Sequence, residues 1–149
     1  LGGRGLAGKF LFDEIDPKID PLSPENKLFL ATGALSGTGA MTSGRFEVIT
    51  KSPLTGAIAD SSSGGHFGNE LKYAGYDLII FEGKSPHPVY LLINDDEVEI
   101  KPAHHLWGKS TIDAESMIRS EMGDAWKARE TQIVSIGPAG DTADTWLSP

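Results

Sequence analysis

Cysteine is absent from all 149 residues. These residues can therefore form no disulfide, no thiolate metal site and no cysteine-ligated iron–sulfur cluster. Long apolar runs are also missing, and none approaches the roughly 20 residues that a membrane helix requires. No basic n-region followed by an apolar stretch opens the chain, so the pattern of a secretory leader is not present. Positive charge is scarce: 13 Lys and Arg stand against 21 Asp and Glu, a formal net charge of −8. A chain so poor in clustered Lys and Arg is not built to follow a nucleic-acid backbone. It can still hold a single phosphate, for which one arginine and a helix end suffice. The four histidines, His66, His87, His104 and His105, lack H-x-x-x-H or H-E-x-x-H spacing, which argues against zinc. No nucleophile elbow or Ser–His–Asp order is visible, and Ser61 to Ser63 have no identifiable base.

What is there reads as one ordinary globular domain, 39% hydrophobic and 23% charged. A domain of this length buries about 70% of its unfolded surface. Glycine, at 18 residues, punctuates the sequence and places most element ends. A short helix is predicted from Gly5 to Ile15, with Leu6, Phe10 and Leu11 on one face and Asp16-Pro17 ending it. Lys27 to Thr32 reads as a strand and Gly33 to Gly44 as a loop of small residues. Phe46–Thr50 and Ala57–Asp60 read as a hairpin around Ser52-Pro53-Leu54-Thr55-Gly56. A helix is expected from Gly65 to Ala74 with Gly75 as its C′ residue, then a buried strand over Asp77–Glu82. Val89–Asn94 and Glu97–Lys101 flank Asp95-Asp96 as a second hairpin. Ser110 with Asp113 resembles a capping box at the start of the longest helix, which Gly123 stops. A last strand is predicted over Thr131–Ile136. The fold class is therefore α+β: a β-rich domain of short, mostly antiparallel strands and hairpins with about three helices. Lys51 and Lys72 read as solvated side chains, Trp107 as a packing anchor, and His104 and His105 as loop surface.

The densest signal lies between Gly44 and Asp77. Arg45 precedes an apolar strand, and the small-residue loop Ser61-Ser62-Ser63-Gly64-Gly65 opens into a helix. Glycines let a backbone approach an anion, a helix start adds partial positive charge, and a guanidinium fork suits a phosphate. The plainer alternatives are an arginine paired with a surface carboxylate and an ordinary turn with an N-cap. Two small-residue loops beside one hairpin suggest a flat surface kept clear for a planar ligand.

Four segments carry a resemblance: Asp20 to Lys27, Thr50 to Gly56, Ser63 to Asp77 and Ser135 to Gly140. Together, in this order, they resemble the N-terminal domain of the tungsten-containing aldehyde:ferredoxin oxidoreductases over residues 1–141, with residues 142–149 departing from the family pattern. The resemblance implies a β-rich base that seats a bis-pyranopterin cofactor of tungsten or molybdenum. It implies that Arg45 contacts a pterin phosphate and that the Ser62 backbone carbonyl is a ligand of the magnesium joining the pterin phosphates. Ser63, Gly64 and Gly65 would lie against the cofactor. Family members often carry Asn where this chain has Ser62. It also implies an N-terminally truncated piece of a cytoplasmic enzyme of anaerobic metabolism, whose 4Fe-4S cluster and remaining domains lie elsewhere. The whole protein would pass electrons from a small aldehyde to ferredoxin, in a form compatible with a homodimer, and no catalytic residue falls in this piece. A benzoyl-CoA reductase-type subunit of the same family and a non-enzymatic anion-binding module are the alternatives.

Overall fold

In a computed structural model, residues 2–141 are described; the expected tail over 142–149 lies outside them. The chain divides into two units, Leu1–Lys84 with Ile93–Val98, and Ser85–Leu92 with the residues from Glu99 onward.

The first unit is built on an antiparallel sheet of order β3-β2-β1-β4. Its strands are β1 (Lys27–Thr32), β2 (Phe46–Lys51), β3 (Ile58–Ser63) and β4 (Leu78–Glu82). Central β1 pairs Leu30 with Val48 on one side and with Ile79 on the other. Each side chain of β1 faces the opposite way from its neighbour, so both faces of the sheet carry a core. On one face α1 (Gly3–Glu14) covers Phe29, Ala31 and Ile49. Its inward stripe is Gly3, Ala7 and Leu11, continued by Ile15; of the predicted Leu6, Phe10 and Leu11, Leu11 lies in this stripe and Phe10 packs beside it, while Leu6 does not join the cluster. The four-residue spacing of small residues lets the helix axis lie close to the sheet. On the other face α2 (Phe67–Tyr73) brings Leu71 and Phe67 onto Leu30 and Phe46. The Phe46 and Phe67 rings are tilted at 55° with centroids 5.0 Å apart.

Helix α2 ends in the way the sequence indicates. Gly75 has φ +94, its N–H donates to the Lys72 carbonyl, and the Tyr76 N–H donates to Leu71. These two bonds are those of a Schellman motif. Lys51 is not solvated: its ammonium donates to the carbonyls of Pro17 and Ile19 at 2.6 Å each, tying that turn to β2. Lys72 pairs with Asp77. The strand pair β5 (Val89–Asn94) and β6 (Glu97–Pro102) forms the predicted second hairpin, with Asp95 at φ 52 in its turn.

In the second unit α3 (Thr111–Glu121) starts where predicted. The Ser110 hydroxyl oxygen accepts from the Asp113 N–H at 3.1 Å and donates to the Asp113 carboxylate at 2.7 Å. With 11 residues it is shorter than α1, which has 12. Two short helices were not anticipated, α4 (Ala125–Glu130) and α5 (Pro138–Asp141). Asp124 caps α4 by accepting from the Trp126 and Lys127 N–H groups. That helix buries no residue, so no apolar stripe announced it. The strand predicted over Thr131–Ile136 does not form. Its β-branched residues have no ladder partner among the described residues, and propensity without pairing makes no strand. Trp107, the expected packing anchor, is 53% exposed.

Candidate functional site

The β2–β3 ladder gathers most of the predicted site at one end of the sheet. Phe46 pairs with Ser63 and Glu47 with Ser62, and Arg45 immediately precedes this end of β2. Strand β3 runs through Ser61, Ser62 and Ser63, which sequence reasoning had placed in a loop. Small polar residues suffice there because β3 is an edge strand with mostly exposed side chains, held by backbone pairing with β2. The remaining turn is only Gly64 to His66. A Cβ added at Gly64 or Gly65 would meet nothing within 4 Å, so this end of the ladder is bare.

Side chains alternate across a sheet, which puts Ser62 and Glu47 on the α1 face and Ser63 and Phe46 on the α2 face. Arg45 lies on the Glu47 side. Both line an open concavity of about 540 Å³, together with Gly2, Gly3, Arg4 and Gly33. Ser62 to Gly65 do not line that concavity; they adjoin it through the ladder. The Arg45 side chain is exposed and makes no hydrogen bond or ion pair with a described residue. Arg4, beside it, pairs with Asp60. Glu47 presents a buried Oε2 with no hydrogen-bond partner.

Three devices place Arg45, and none was singled out from the sequence. Ser36 is 1% exposed; its hydroxyl donates to the Ser43 carbonyl at 2.7 Å and accepts from the Gly33 N–H at 3.1 Å. It closes the Gly33–Gly44 loop across its base. The Asn69 side-chain oxygen accepts from the Gly37 N–H at 3.0 Å, fastening the same loop to α2. Gly44 and Gly68 then let the start of α2 lie against the backbone just before Arg45. Serine and glycine are too common in such loops to signal this from composition. Helix α2 itself supplies little field: it has seven residues, no side-chain cap at His66, and Glu70 in its first turn.

A separate polar cluster lies in the second unit. The Tyr90 hydroxyl donates to the Glu121 carboxylate at 3.3 Å, and His105 pairs with the other oxygen of Glu121. Burial first, and then the Glu121 charge, raise the Tyr90 pKa above its ordinary 10.0. The rings of His87 and His104 are 5.2 Å apart. No group of acidic, His or Cys residues among the described ones could hold a metal ion by side chains alone. Nor is any described helix long and apolar enough to cross a membrane.

Comparison with known proteins gives the chain its family. The family model described as "Aldehyde ferredoxin oxidoreductase, N-terminal domain" matches residues 1–144. The chain is 59% identical to the tungsten-containing aldehyde ferredoxin oxidoreductase of Pyrococcus horikoshii over 141 residues, 95% of this chain and 23% of that protein. It is 39% identical to the WOR-like subunit of an aliphatic sulfonate oxidoreductase of Pyrococcus furiosus, over 87% of this chain and 21% of that one. Among solved structures it resembles a chain of the active-site complex BamBC of benzoyl coenzyme A reductase in complex with 1,5 dienoyl-CoA. The TM-score is 0.89 at 47% identity, over 93% of this chain and 21% of that chain. The chain thus spans about a quarter of the length of these relatives. A family match across nearly the whole chain, with relatives this similar, leads to one conclusion: the chain belongs to the aldehyde ferredoxin oxidoreductase family, within its N-terminal domain.

Proposed function

We propose that this chain seats the bis-pyranopterin cofactor, carrying tungsten or molybdenum, of a full-length oxidoreductase that converts aldehydes to carboxylates. The observation that carries the proposal is the Arg45 guanidinium, without a partner among the described residues, at a ladder end left bare by Gly64 and Gly65. A free guanidinium beside backbone without side chains is a donor set suited to a phosphate, so the residues fit the group. Arg45 holds a pterin phosphate. Ser62 would offer its backbone carbonyl to a magnesium ion that offsets phosphate charge, and Ser63, Gly64 and Gly65 would lie against the cofactor. When bound, the cofactor supplies two-electron redox chemistry at its metal: an aldehyde and water give a carboxylate, three protons and two electrons. The electrons would leave singly for ferredoxin by way of a 4Fe-4S cluster that other parts of the full-length protein would hold. The chain itself neutralises phosphate charge and fixes the cofactor's position, and it needs the remaining domains to be active.

The structural likeness to a benzoyl-CoA reductase chain favours one second reading, in which the same seat serves a subunit that reduces an aromatic ring. The test uses the full-length protein purified without oxygen. Tungsten or molybdenum and pterin are expected in stoichiometric amount, with aldehyde-dependent reduction of ferredoxin. Reduction of benzoyl-CoA in its place selects the second reading, and the absence of metal and pterin ends both.

A further inference from the structure

Two arginines from distant parts of the chain meet at one concavity. Arg45 immediately precedes β2, Arg4 stands in the first turn of α1, and both line it. Two glycines bring Arg4 there. Gly3 has φ +50, a conformation that favours glycine, and a Cβ built on Gly2 would stand 2.7 Å from the Ala34 backbone nitrogen. The start of α1 therefore lies against the loop that leads to Arg45. Arg4 meets the Asp60 carboxylate of β3 through its Nε, and its two terminal nitrogens hydrogen-bond to no described residue. The Arg4 side chain is 68% exposed, and an exposed ion pair adds little stability. Asp60 is not among the residues that line the concavity. The contact at Nε thus orients the guanidinium while its outer edge, the edge that forks onto a phosphate, keeps its donors for a ligand. Glu47 lines the concavity too, but its Oε2 is closed to water. A Cβ on Gly3 would touch the Glu47 Cγ at 3.6 Å, so this carboxylate lies beside the first turn of α1, which has no side-chain cap and no acidic residue of its own. Its charge offsets the partial positive charge of that helix start. The exposed Leu35 and Met41 add apolar lining, and two arginines with such neighbours suit an organic phosphate better than a bare anion.

We infer that Arg4 is the second phosphate-binding arginine of the seat: Arg45 holds one phosphate of the bis-pyranopterin, and Arg4, oriented by Asp60, holds the other. The inference rests on the proposed cofactor seat and adds a residue to it. A phosphate monoester carries a charge of about −1.5 to −2 near neutral pH, so a cofactor with two of them brings more negative charge than one guanidinium offsets. A second guanidinium in the same concavity reduces that excess, and its planar fork fixes the direction of the group as well as its charge. Two positive side chains at one concavity repel each other, and phosphate between them turns that cost into attraction.

The test uses the full-length protein purified without oxygen, comparing wild type with Arg4→Gln, Arg4→Lys and Asp60→Asn. Release of pterin and of tungsten or molybdenum in raised salt is followed over time, and the phosphorus-31 resonances of the bound cofactor are recorded beside the melting temperature. Arg4→Gln is expected to release pterin about 10- to 100-fold faster than wild type and to shift one phosphate resonance. Arg4→Lys keeps the charge without the fork; it should release pterin at an intermediate rate, and it is the variant read if Arg4→Gln does not fold. Asp60→Asn loses the same ion pair but keeps the guanidinium, so its release should be slower than that of Arg4→Gln. Release at the wild-type rate from the Arg4 variant that is read overturns the inference. So does equal release from that variant and Asp60→Asn with unmoved phosphate resonances, which confines Arg4 to its pair with Asp60. Either result, in protein whose wild type holds pterin, leaves the cofactor seat at Arg45 intact; wild type without pterin and metal removes the seat and this inference with it.

Discussion

Gly68 and Gly44 touch through their backbones: a Cβ built on Gly68 would stand 2.9 Å from the Gly44 carbonyl oxygen and 3.4 Å from the Arg45 carbonyl carbon. The first turn of α2 is therefore pressed against the residues that set the direction of Arg45. No L side chain larger than hydrogen fits without moving one of the two segments.

The first prediction concerns that contact. Gly68→Ala forces the backbone apart, and overpacking of this kind costs about 1–3 kcal/mol. In the full-length protein it should lower the melting temperature and reduce pterin content, because Arg45 shifts with the strand. Gly64→Ala, which meets open space, should leave melting nearly unchanged. Equal melting of both variants would show that the Gly44–Gly68 approach is not constraining.

Ser36 is the second. Replacing it by Ala leaves the Gly33 N–H and the Ser43 carbonyl without their partner inside a buried loop base. Loss of such bonds costs about 1–3 kcal/mol. The effect should be local: amide hydrogen exchange over residues 33–44 should speed up while β1 and β2 keep their protection. Exchange that stays at the wild-type rate would remove Ser36 as the closing bond.

Tyr90 gives a third, spectroscopic, prediction. Burial and Glu121 both disfavour its phenolate, so its pKa lies above the ordinary 10.0. A raised folded value means a stabilising contribution fully present below the unfolded value and lost as pH rises through the folded one. Glu121→Gln removes only the charge contribution. Phenolate absorbance should then rise at lower pH than in wild type for Tyr90, assigned by comparison with Tyr90→Phe. An onset unmoved by Glu121→Gln would leave burial as the only cause.

Lys27 gives the fourth. Its ammonium pairs with Glu14 at the end of α1 and with Glu82 on β4, and these raise its pKa above the ordinary 10.5. The contribution is present below the ordinary lysine value and disappears as pH rises through the folded value. Lys27→Met should therefore flatten the fall in stability above the ordinary lysine value, measured by denaturant midpoints, with little change in shape near neutrality. A wild-type slope in that window would deny the pairs any role.

Much of the fold was legible because local chemistry decided it. Gly75 stops α2, Ser110 with Asp113 starts α3, and Asp95 turns the second hairpin, each through a preference that acts within a few residues. The failures follow from the same rule. Thr131–Ile136 has the composition of a strand but no ladder partner among the described residues, and α4 lacks the apolar stripe by which a helix is read. Ser61 to Ser63 lack strand-like side chains yet form β3, because β2 supplies the hydrogen bonds.

The sequence by itself determined the family, the α+β class, the order of the main elements and the choice of Arg45 and Ser62 to Gly65 as candidates, since motifs and turn residues are properties of short segments. Tertiary structure alone decided which groups meet. It alone put Glu47 beside Ser62, left the Arg45 guanidinium without a partner among the described residues and used Ser36, Asn69 and Gly68 to hold it there. Those relations depend on ladder register and on the close approach of distant backbones, which no local pattern encodes.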